Sequence, residues 1–403
     1  MPTLLQINVT ANWGSHGRIA EGIADVAIVQ AWDSYIAYGR YHNDSHSRLI
    51  KIGSRVDQYL HGAKSLLFDR HGLGSRHATQ RLIGQIKELR PDIIHLHNIH
   101  GYYLNYPLLF EYLSEQTAPV VWTLHDAWPI TGHCAFPDII GCKRWQVGCY
   151  DCPLKGREYP RSIYDNSRKN QQIKQKYFTA VDNLHIVTVS KWLEGVLRQS
   201  ILKDCDIRCI YNGIDIETFS PSKVMQKANK DFHILGVASV WENRKGLEVF
   251  GKLRRILPEN YKITLVGVKQ LQGMMLPSGI EYIRRTDSVS QLVEIYRKTD
   301  VLVNPSKAES FGMTNVEAMA CGKPSVVFDT TACPEIITEQ TGSVVPINDI
   351  QNMAVEIQRW CELSRTTSSD VISFQCRQRA KQLFSQKQTY QAYVDFYDSL
   401  LTK

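Results

Sequence analysis

The chain has 403 residues, and its 47 Lys and Arg against 40 Asp and Glu give a formal charge of +7. So weak a positive charge argues against a dedicated nucleic-acid-binding protein, and 22% charged with 43% hydrophobic residues excludes a disordered chain. The length predicts two or three domains. Twelve of the 13 histidines lie at or before His185, so the first half of the chain is chemically distinct from the second.

The first half alternates short apolar runs, rich in Val and Ile, with longer amphipathic segments. This alternation predicts a parallel sheet with helices on both faces. The predicted strands are Leu4–Val9, Ser34–Gly39, Asp92–His95, Pro119–Leu124, His185–Val189 and Ile207–Tyr211. The predicted helices lie near 17–31, 76–89, 104–116 and 190–202.

The polar segment Ser220–Lys230 is predicted to be a linker, and the alternation restarts after it. The predicted strands of the second half are Phe232–Ala238, Tyr261–Val266, Ile280–Ile283, Val301–Asn304 and Pro324–Phe328. Its helices are predicted near 246–257, 288–298, 314–321, 349–362, 366–383 and 387–401. We therefore expect an α/β protein of two doubly wound domains with a cleft between them, whose ligands bind beyond the carboxyl ends of the strands.

The N-terminus lacks the pattern of a signal peptide, because Asn8, Asn12 and Arg18 interrupt its apolar segment. No window approaches the ~18 apolar residues that a membrane-spanning helix needs. Ten cysteines in a chain of this length are predicted to be reduced thiols, as in a cytosolic protein.

A basic pair, Arg244 and Lys245, follows the predicted strand Phe232–Ala238 and precedes a helix. A fork-shaped guanidinium beside a compact ammonium suits a diphosphate at a helix N-terminus. The alternative is an ordinary basic pair in a loop.

Two glutamates follow the predicted strand Val301–Asn304: Glu309 falls in a loop and Glu317 in the next helix. Between them, Gly312 allows close approach of the backbone, and the amides of Met313 and Thr314 point out of the helix N-terminus. The segment is predicted to offer one carboxylate to a sugar hydroxyl, amides to phosphate and the second carboxylate to a ribose. The alternative is two solvated glutamates at a tight turn.

In the first half, a glycine-rich turn opens the first helix with Gly14, Ser15, His16 and Gly17. Such a turn can hold a phosphate or a sugar against its amides, although a plain tight turn is the alternative. The turn is not G-x-G-x-x-G, which disfavours a dinucleotide-dependent oxidoreductase.

Several polar and aromatic residues follow other strands of the first half. His125 directly follows the strand Pro119–Leu124, where it can reach a bound sugar, the alternative being a satisfied core histidine. A polar and aromatic loop containing His97, Asn98 and Tyr102 is predicted to line a ligand pocket. It is not predicted to bind a metal, since the segment has no carboxylate.

Four cysteines, Cys134, Cys142, Cys149 and Cys152, lie within 19 residues. One pair has the C-x2-C spacing of a zinc site, but there is no second such pair. A structural zinc and reduced packing thiols both stay open.

The stretch from Lys155 to Lys176 contains seven basic residues and two acidic ones. It is predicted to be either a solvated helix face or a contact with anionic phospholipid or a lipid-linked diphosphate.

Three motifs, taken together, carry a family resemblance. They are Asn212-Gly213-Ile214-Asp215, then Arg244-Lys245-Gly246, then Glu-x7-Glu with Phe311-Gly312 inside it and Glu-Ala-Met-Ala-Cys-Gly-Lys-Pro from Glu317 onward. In this order and spacing they resemble the retaining glycosyltransferases of the GT-B fold, the family of glycogen and sucrose synthases. The run Thr123-Leu124-His125-Asp126, with the cysteines after it, resembles the colanic-acid and O-antigen type of exopolysaccharide glycosyltransferases.

The resemblance implies two Rossmann-like domains facing a central cleft. Residues 1–215 would form the acceptor-side domain and 216–384 the donor domain, with the last helix, 385–403, crossing back to the first. Four residues would act in catalysis: Glu309, His125, Lys245 and Arg244. The donor would be held by Arg244, Lys245, Glu309, Phe311, Gly312, Met313, Thr314, Glu317 and Asn212. The acceptor side would comprise Asp126, His97, Asn98 and Tyr102, and the glycine-rich turn would face the cleft.

The implied activity is retaining, metal-independent transfer of a hexose or related sugar from a UDP- or GDP-sugar. The implied acceptor is an oligosaccharide linked to undecaprenyl diphosphate, in bacterial O-antigen, capsule or exopolysaccharide synthesis. No cofactor is expected. The expected location is the cytoplasm, with anionic lipid of the inner membrane face as a further candidate partner. A nucleotide-sugar epimerase, a glycan phosphorylase and a non-catalytic nucleotide-sugar-binding scaffold stay open as alternatives.

Overall fold

Two parallel sheets organise the chain. The computed structural model describes residues 1–222 and 230–402, so most of the predicted linker, residues 223–229, lies outside the described residues. Unit 1 comprises Met1–Ile210 and Thr389–Lys403, and unit 2 comprises Tyr211–Gln388. The corresponding predicted boundaries lie after residues 215 and 384.

Unit 1 contains a sheet of seven parallel strands in the order β3-β2-β1-β4-β5-β6-β7. The strands are β1 (Thr3–Asn8), β2 (Asp33–Tyr38), β3 (Arg48–Lys51), β4 (Ile93–Leu96), β5 (Val120–Leu124), β6 (Leu184–Thr188) and β7 (Asp206–Cys209). Its helices before β7 are α1 (Gly14–Val29), α2 (Arg55–Phe68), α3 (Arg76–Leu89), α4 (Tyr106–Leu113), α5 (Ser167–Phe178) and α6 (Lys191–Leu197).

Unit 2 contains a sheet of six parallel strands in the order β10-β9-β8-β11-β12-β13. The strands are β8 (Phe232–Val237), β9 (Tyr261–Val266), β10 (Ile280–Ile283), β11 (Val301–Asn304), β12 (Ser325–Phe328) and β13 (Gly342–Val345). The helices are α7 (Leu247–Ile256), α8 (Gln270–Met274), α9 (Val289–Lys298), α10 (Met313–Ala320), α11 (Cys333–Ile336), α12 (Ile350–Leu363), α13 (Ser369–Leu383) and α14 (Gln386–Leu401). Most of α14 belongs to unit 1.

In each sheet the strand order reverses once, between β1 and β4 in unit 1 and between β8 and β11 in unit 2. At such a reversal the loops that follow the two strands run to opposite faces of the sheet and leave a crevice beyond the strand ends. The predicted two-domain α/β fold is confirmed. Candidate ligand-binding residues are expected beyond the carboxyl ends of β1, β4, β8 and β11.

The last helix, α14, completes the core of unit 1. Tyr393 and Tyr397 are buried among the core residues of that sheet. The hydroxyl of Tyr397 lies 2.6 Å from His95 Nδ1, and Thr123 Oγ1 donates to the hydroxyl of Tyr393 over 3.1 Å. Because Nε2 of His95 lies 2.8 Å from Thr123 Oγ1, both nitrogens of this histidine are satisfied within the core.

The structure contains elements that the sequence patterns did not predict: β3, α2, α5, α8, α11 and β13. Two predicted helices are shorter than expected: 104–116 is helical only over Tyr106–Leu113, and 190–202 only over Lys191–Leu197. The helix α5 lacks a clear apolar stripe, because its buried residues include Asn170, Gln171 and Lys174.

Between β5 and α5 the chain forms a long connection with only two short 3₁₀ turns, Pro137–Ile140 and Arg144–Gln146. A buried pair anchors it to the end of α2, with His133 Nδ1 2.6 Å from Asp69 Oδ1. The second carboxylate oxygen of Asp69 accepts from the amide of Asn166 at 3.0 Å. Within the described residues, no helix combines the length and apolarity needed to cross a bilayer.

Candidate functional site

In unit 2 the predicted basic pair and the first glutamate meet at the sheet reversal. Arg244 and Lys245 follow β8, and Glu309 follows its neighbour β11. The ammonium of Lys245 contacts Glu309 Oε1 directly, and Arg244 Nη1 lies 3.6 Å from Glu309 Oε2. Ser306 Oγ donates to Glu309 Oε1 at 3.0 Å. The carboxylate is therefore held between two cations and a hydroxyl.

The environment keeps Glu309 ionised. The residue is only 8% exposed, and burial by itself raises the pKa of its carboxyl. The opposing charges of Lys245 and Arg244, with the hydrogen bonds from Lys245 and Ser306, outweigh burial and hold the pKa below its ordinary value. One buried, ionised carboxylate thus lies between two cations.

The backbone around the basic pair requires glycine. Gly246, the N-cap residue of α7, has φ +71°, and a Cβ at this position would overlap the carbonyl oxygen of Pro305. The loops after β8 and β11 also share hydrogen bonds, since the carbonyl of Arg244 accepts from the amide of Lys307 at 2.7 Å. Arg244 Nη1 in turn donates to the carbonyl of Ala308 over 3.0 Å. These contacts hold the basic pair against the loop that carries the glutamate.

The helix α10 begins where the motif predicted. Gly312, with φ +97°, is its N-cap residue, and the partly buried Met313 and Thr314 form its first turn. Glu317 lies in the second turn, and its Oε2 accepts a 2.6 Å hydrogen bond from the buried hydroxyl of Tyr296. The amides of the first turn and the carboxylate of Glu317 therefore lie within two turns of the N-terminus of α10.

Two further predicted donor residues are buried in unit 2. Phe311 packs against Tyr211 and Phe384, with ring centroids 5.9 and 5.6 Å away. Asn212 is 7% exposed. Phe311 thus contributes to an aromatic cluster, and its ring is only 3% exposed.

In unit 1 three histidines cluster at the ends of β1, β4 and β5. The ring of His125 lies 5.8 Å from that of His16 and 5.8 Å from that of His97. Burial, followed by the neighbouring histidines, lowers the pKa of His125 well below its ordinary range, and burial lowers the pKa of His16 to about 4. All three rings carry a buried nitrogen without a hydrogen-bond partner among the described residues: His16 Nδ1, His97 Nδ1 and His125 Nε2.

The remaining predicted turn residues surround this cluster. Gly14 and Ser15 are exposed at the start of α1, and Gly17 is buried one turn on. Nε2 of His97 lies 2.8 Å from Gln6 Oε1, so that its ring is held in place.

A second set of polar residues extends from Asp126. Its Oδ1 accepts from the amide of Trp128 at 2.8 Å, and its Oδ2 lies 3.0 Å from His100 Nε2. The hydroxyl of Tyr159 bridges His100 Nδ1 at 3.1 Å and His71 Nε2 at 2.9 Å. Burial by itself raises the pKa of Asp126. The charge and the hydrogen bond of His100 outweigh burial, so the pKa lies below its ordinary value.

The predicted acceptor residues come together only in part. One pocket of unit 1 is lined by His97, Asn98, His100, His125 and Asp126, among other residues. Tyr102 is not among its lining residues; its ring lies 5.0 Å from that of His71, and its φ is +69°.

The four clustered cysteines line a second pocket of unit 1. A hydrogen bond from Cys134 lowers the pKa of Cys152 to about 6, whereas burial raises that of Cys149 to about 11. A tetrahedral zinc–thiolate site has sulfur atoms ~3.8 Å apart, from its Zn–S distance of ~2.3 Å. Among the described residues, three metal-binding side chains have all their ligand atoms within 4.8 Å of one another only at Glu21, Asp25 and His46. The four cysteines do not form such a group.

The stretch 155–176 is only partly a solvated helix face. Helix α5 begins at Ser167, so the first half of the stretch is loop. Lys174, counted with the basic residues, is 1% exposed and donates to the carbonyls of Trp128 at 2.6 Å and Thr131 at 2.9 Å. The prediction of a uniformly exposed basic face was wrong at this residue, because the connection after β5 covers it.

Sequence reasoning missed several residues that hold the predicted ones. Ser306 contacts Glu309, Tyr296 contacts Glu317, and His100 contacts Asp126. Ser306 lies in the Pro-Ser pair before the glutamate motif, so the motif itself could have indicated it. Tyr296 lies on α9, where nothing in the local sequence marks a site residue.

Comparison with known proteins agrees with this arrangement. Residues 231–362 match a family model described as "Glycosyl transferases group 1", and residues 34–218 match one described as "Glycosyltransferase Family 4". Over 98% of this chain and the full length of the relative, the chain is 23% identical to a putative colanic acid biosynthesis glycosyl transferase, WcaC, of Escherichia coli K12.

Solved structures share the fold. Sucrose-phosphate synthase of Thermosynechococcus elongatus superposes with a TM-score of 0.71 at 16% identity, covering 100% of both chains. Anabaena HepE, in complex with UDP-glucose, superposes with a TM-score of 0.64 at 14% identity, covering 98% of this chain and 99% of HepE. The strand orders, the order of the motifs along the chain and the two family matches lead to one conclusion: the chain belongs to the group 1 glycosyltransferases and has the GT-B fold.

Proposed function

We propose that the protein is a retaining glycosyltransferase. It transfers a hexose or related sugar from a UDP- or GDP-sugar to a lipid-linked oligosaccharide in bacterial O-antigen, capsule or exopolysaccharide synthesis. The observation that carries the proposal is the carboxylate of Glu309 held by Lys245 and Arg244 at the sheet reversal of unit 2. The description of WcaC as a putative colanic acid biosynthesis glycosyl transferase supports the polysaccharide part of the proposal, and the UDP-glucose bound to HepE supports the nucleotide-sugar part.

The basic pair provides the charge that a departing nucleoside diphosphate requires. In the proposed reaction the bond between the anomeric carbon and the diphosphate breaks, and negative charge develops on the diphosphate. Arg244 and Lys245 stabilise that charge because they are already in place and partly desolvated, with 15% and 18% of their side chains exposed. The acceptor hydroxyl attacks from the same face, and its proton passes to the departing phosphate.

The other donor contacts follow from α10. The free amides at Met313 and Thr314 bind phosphate oxygens, and Glu317, held by Tyr296, accepts from the ribose hydroxyls. Glu309 binds sugar hydroxyls and faces the positive charge that develops at the anomeric carbon. Since two fixed cations meet the leaving group, we propose that transfer needs no catalytic metal.

Unit 1 provides the proposed acceptor residues. Three buried histidine nitrogens without partners among the described residues are unusual in a folded protein, where buried polar atoms are normally hydrogen-bonded. This supports a polar ligand at His16, His97 and His125, with His125 acting on the reacting sugar. Asp126, with both oxygens engaged, orients the neighbouring groups. We propose a cytoplasmic enzyme that works at the inner face of the plasma membrane.

Nucleotide binding gives the first test. At about 100 times its Kd, UDP or GDP is expected to stabilise the native state by about 2.7 kcal/mol. This is measured as a rise in the thermal unfolding midpoint, and uridine or guanosine should produce little of it because neither carries a phosphate. The Lys245→Ala variant should lose most of the shift, whereas Lys252→Ala, an exposed lysine on α7, should retain it.

Sugar conjugates of the nucleotide that stabilises the protein are then supplied together with a lipid-linked acceptor. Proton NMR measures the anomeric configuration of the product. Retention in the presence of a chelator agrees with the proposal. Inversion, loss of turnover on chelation, or an equal thermal shift in Lys245→Ala would contradict it.

The cysteine cluster gives a separate prediction. We propose that Cys134, Cys142, Cys149 and Cys152 are reduced packing thiols, since their sulfur atoms are not gathered as a zinc site requires. Freshly purified protein is therefore expected to contain far less than one zinc per chain by elemental analysis. About one zinc per chain, lost in Cys149→Ser and kept in the control Cys205→Ser, would instead establish a structural zinc.

A further inference from the structure

The helix α2 has its polar side buried and its apolar side exposed. Its buried residues are His61 and Ser65. Its exposed residues include six large apolar side chains: Val56 at 65%, Tyr59 at 77%, Leu60 at 58%, Leu66 at 47%, Leu67 at 44% and Phe68 at 50%. A surface helix normally has the opposite arrangement, so the exposed side requires an explanation.

Hydrogen bonds fix this orientation. Nδ1 of His61 lies 2.9 Å from Ser75 Oγ, and its Nε2 accepts from the amides of Gly72 and Gly74 at 3.1 and 3.2 Å. At the other end a capping box joins Ser54 and Asp57. Rotating the helix to bury its apolar side would break the bonds of His61 to the turn at residues 72–75 and leave its imidazole unpaired. The apolar exposure is therefore built into unit 1.

A second segment extends the apolar surface. The amide of Ile163 donates to the carbonyl of Leu66 at 2.7 Å, and Asn166 Nδ2 donates to that of Phe68 at 2.7 Å. Tyr164 stacks on Phe68 with ring centroids 6.4 Å apart. Ile163 and Tyr164 are 61% and 64% exposed. We call these eight side chains the α2 patch: Val56, Tyr59, Leu60, Leu66, Leu67, Phe68, Ile163 and Tyr164.

The charges that accompany the α2 patch are segregated by sign. Among residues 55–70 and 155–166, the exposed charged side chains are all basic: Arg55, Lys64, Arg70, Arg157 and Arg161. The acidic residues of these segments, Asp57, Asp69, Glu158 and Asp165, are buried or partly buried. Asp69 is paired with His133, and Asp165 accepts from the amides of Cys152 and Ser167. The outward charge of both segments is positive.

We infer that the α2 patch docks unit 1 on a bilayer containing anionic phospholipid, with its apolar side chains inserted at the level of the headgroups and its cations against the phosphates. An apolar face with basic residues among it has the composition of an interfacial membrane helix. A second copy of the chain fits less well, because a two-fold interface across the α2 patch would bring like charges together. The inference assigns the apolar half of a membrane contact to α2 and does not depend on which sugar is transferred.

Vesicle sedimentation tests the inference with the full-length chain and no substrate. Phosphatidylcholine vesicles are compared with vesicles that also contain phosphatidylglycerol. The wild type is expected to bind the anionic vesicles at least about tenfold more tightly. The double variant Leu60→Ser/Ile163→Ser should bind them about tenfold or more weakly, through loss of apolar insertion. The double variant Lys64→Glu/Arg161→Glu should lose the preference for anionic lipid.

A matched control uses exposed apolar residues outside the α2 patch. Val371 and Phe374 on α13 are 59% and 57% exposed, close to Leu60 and Ile163. Val371→Ser/Phe374→Ser should bind vesicles like the wild type. Every substituted side chain is exposed, so the thermal unfolding midpoints should agree.

Three outcomes would overturn the inference: no binding of the wild type to anionic vesicles, equal binding to neutral ones, or equal losses in the patch and control variants. Sedimentation equilibrium tests the remaining alternative, a dimer formed across the α2 patch. A dimer that Leu60→Ser/Ile163→Ser dissociates, without vesicle binding by the wild type, would identify a second copy as the occupant. Loss of vesicle binding with nucleotide binding intact would leave the proposed transferase activity standing.

Discussion

Glu309→Gln is expected to lower the rate of sugar transfer by about 100-fold or more while leaving the protein folded. The substitution keeps the size of the side chain but removes the charge that Lys245, Arg244 and Ser306 hold in place. A neutral amide cannot stabilise positive charge at the anomeric carbon. Initial rates with saturating donor and acceptor measure the effect.

The same variant should bind UDP or GDP at least as tightly as the wild type. In the structure the carboxylate of Glu309 pairs with the two cations, so we expect it to compete with a diphosphate for them. Its removal frees both cations for the ligand. A calorimetric Kd that is unchanged or lower, with turnover lost, is therefore the signature of a residue that acts in the chemical step.

The control for this experiment is Glu248→Gln. Glu248 also pairs with a lysine of the neighbouring loop, Lys307, over 2.7 Å, but it is 49% exposed on α7. Its loss should leave transfer within about twofold of the wild type. Near-normal turnover in Glu309→Gln, or parallel loss of nucleotide binding and of the thermal midpoint, would show instead that Glu309 is only part of a structural ion pair.

Lys174→Met is expected to reduce the free energy of unfolding by about 2–4 kcal/mol. The Nζ of Lys174 donates to two buried carbonyls and lies 3.6 Å from the ring centroid of Trp128. Methionine fills a similar volume but leaves the carbonyls of Trp128 and Thr131 without a donor. Urea denaturation measures the loss, and Lys169→Met, exposed on the same helix, should change stability by less than about 0.5 kcal/mol.

Lys174 also predicts a pH dependence. Burial lowers its pKa from an ordinary 10.5 to about 7 in the folded protein. Between these values the unfolded chain holds the proton and the folded protein does not, so stability rises with pH by up to about 1.4 kcal/mol per unit. Below pH 7 both states are protonated, and the contribution is flat.

Comparing variants isolates this contribution from the other groups that titrate. Between pH 7 and 9 the wild type should gain stability relative to Lys174→Met, and Lys169→Met should follow the wild type. Parallel pH profiles for the wild type and Lys174→Met would contradict the assignment of a buried, deprotonated lysine.

The positions of the candidate donor residues relative to the strands were predictable, because these residues lie in the loops that follow two strands. Arg244, Lys245 and Glu309 lie at carboxyl ends of strands that local patterns of Val and Ile already reveal. Their mutual contact was not predictable. The motifs predict a diphosphate at the basic pair and a sugar at the glutamate, whereas in the structure Lys245 and Glu309 pair with each other across 64 residues. Only the strand order, with β11 beside β8, produces that pairing.

Unit 1 shows where local patterns fail. The stretch 155–176 is basic along its length in sequence, yet Lys174 is buried beneath a connection that the sequence marks only by its cysteines and glycines. Helix α2 was not predicted, and its apolar residues alone would have indicated that they face the core. They are exposed instead, because the ring of His61 accepts hydrogen bonds from a turn more than ten residues away and holds the polar side of the helix inward.

The sequence by itself determined the two successive α/β alternations, the charged and glycine residues that follow particular strands, and the resemblance to one glycosyltransferase family. These depend on local periodicity and on short motifs, which a chain carries at neighbouring positions. The tertiary structure alone decided which strands lie side by side, which charges pair and which side of a helix is exposed. These depend on contacts between distant residues, since the burial and the hydrogen bonds that fix them arise only when the sheets assemble.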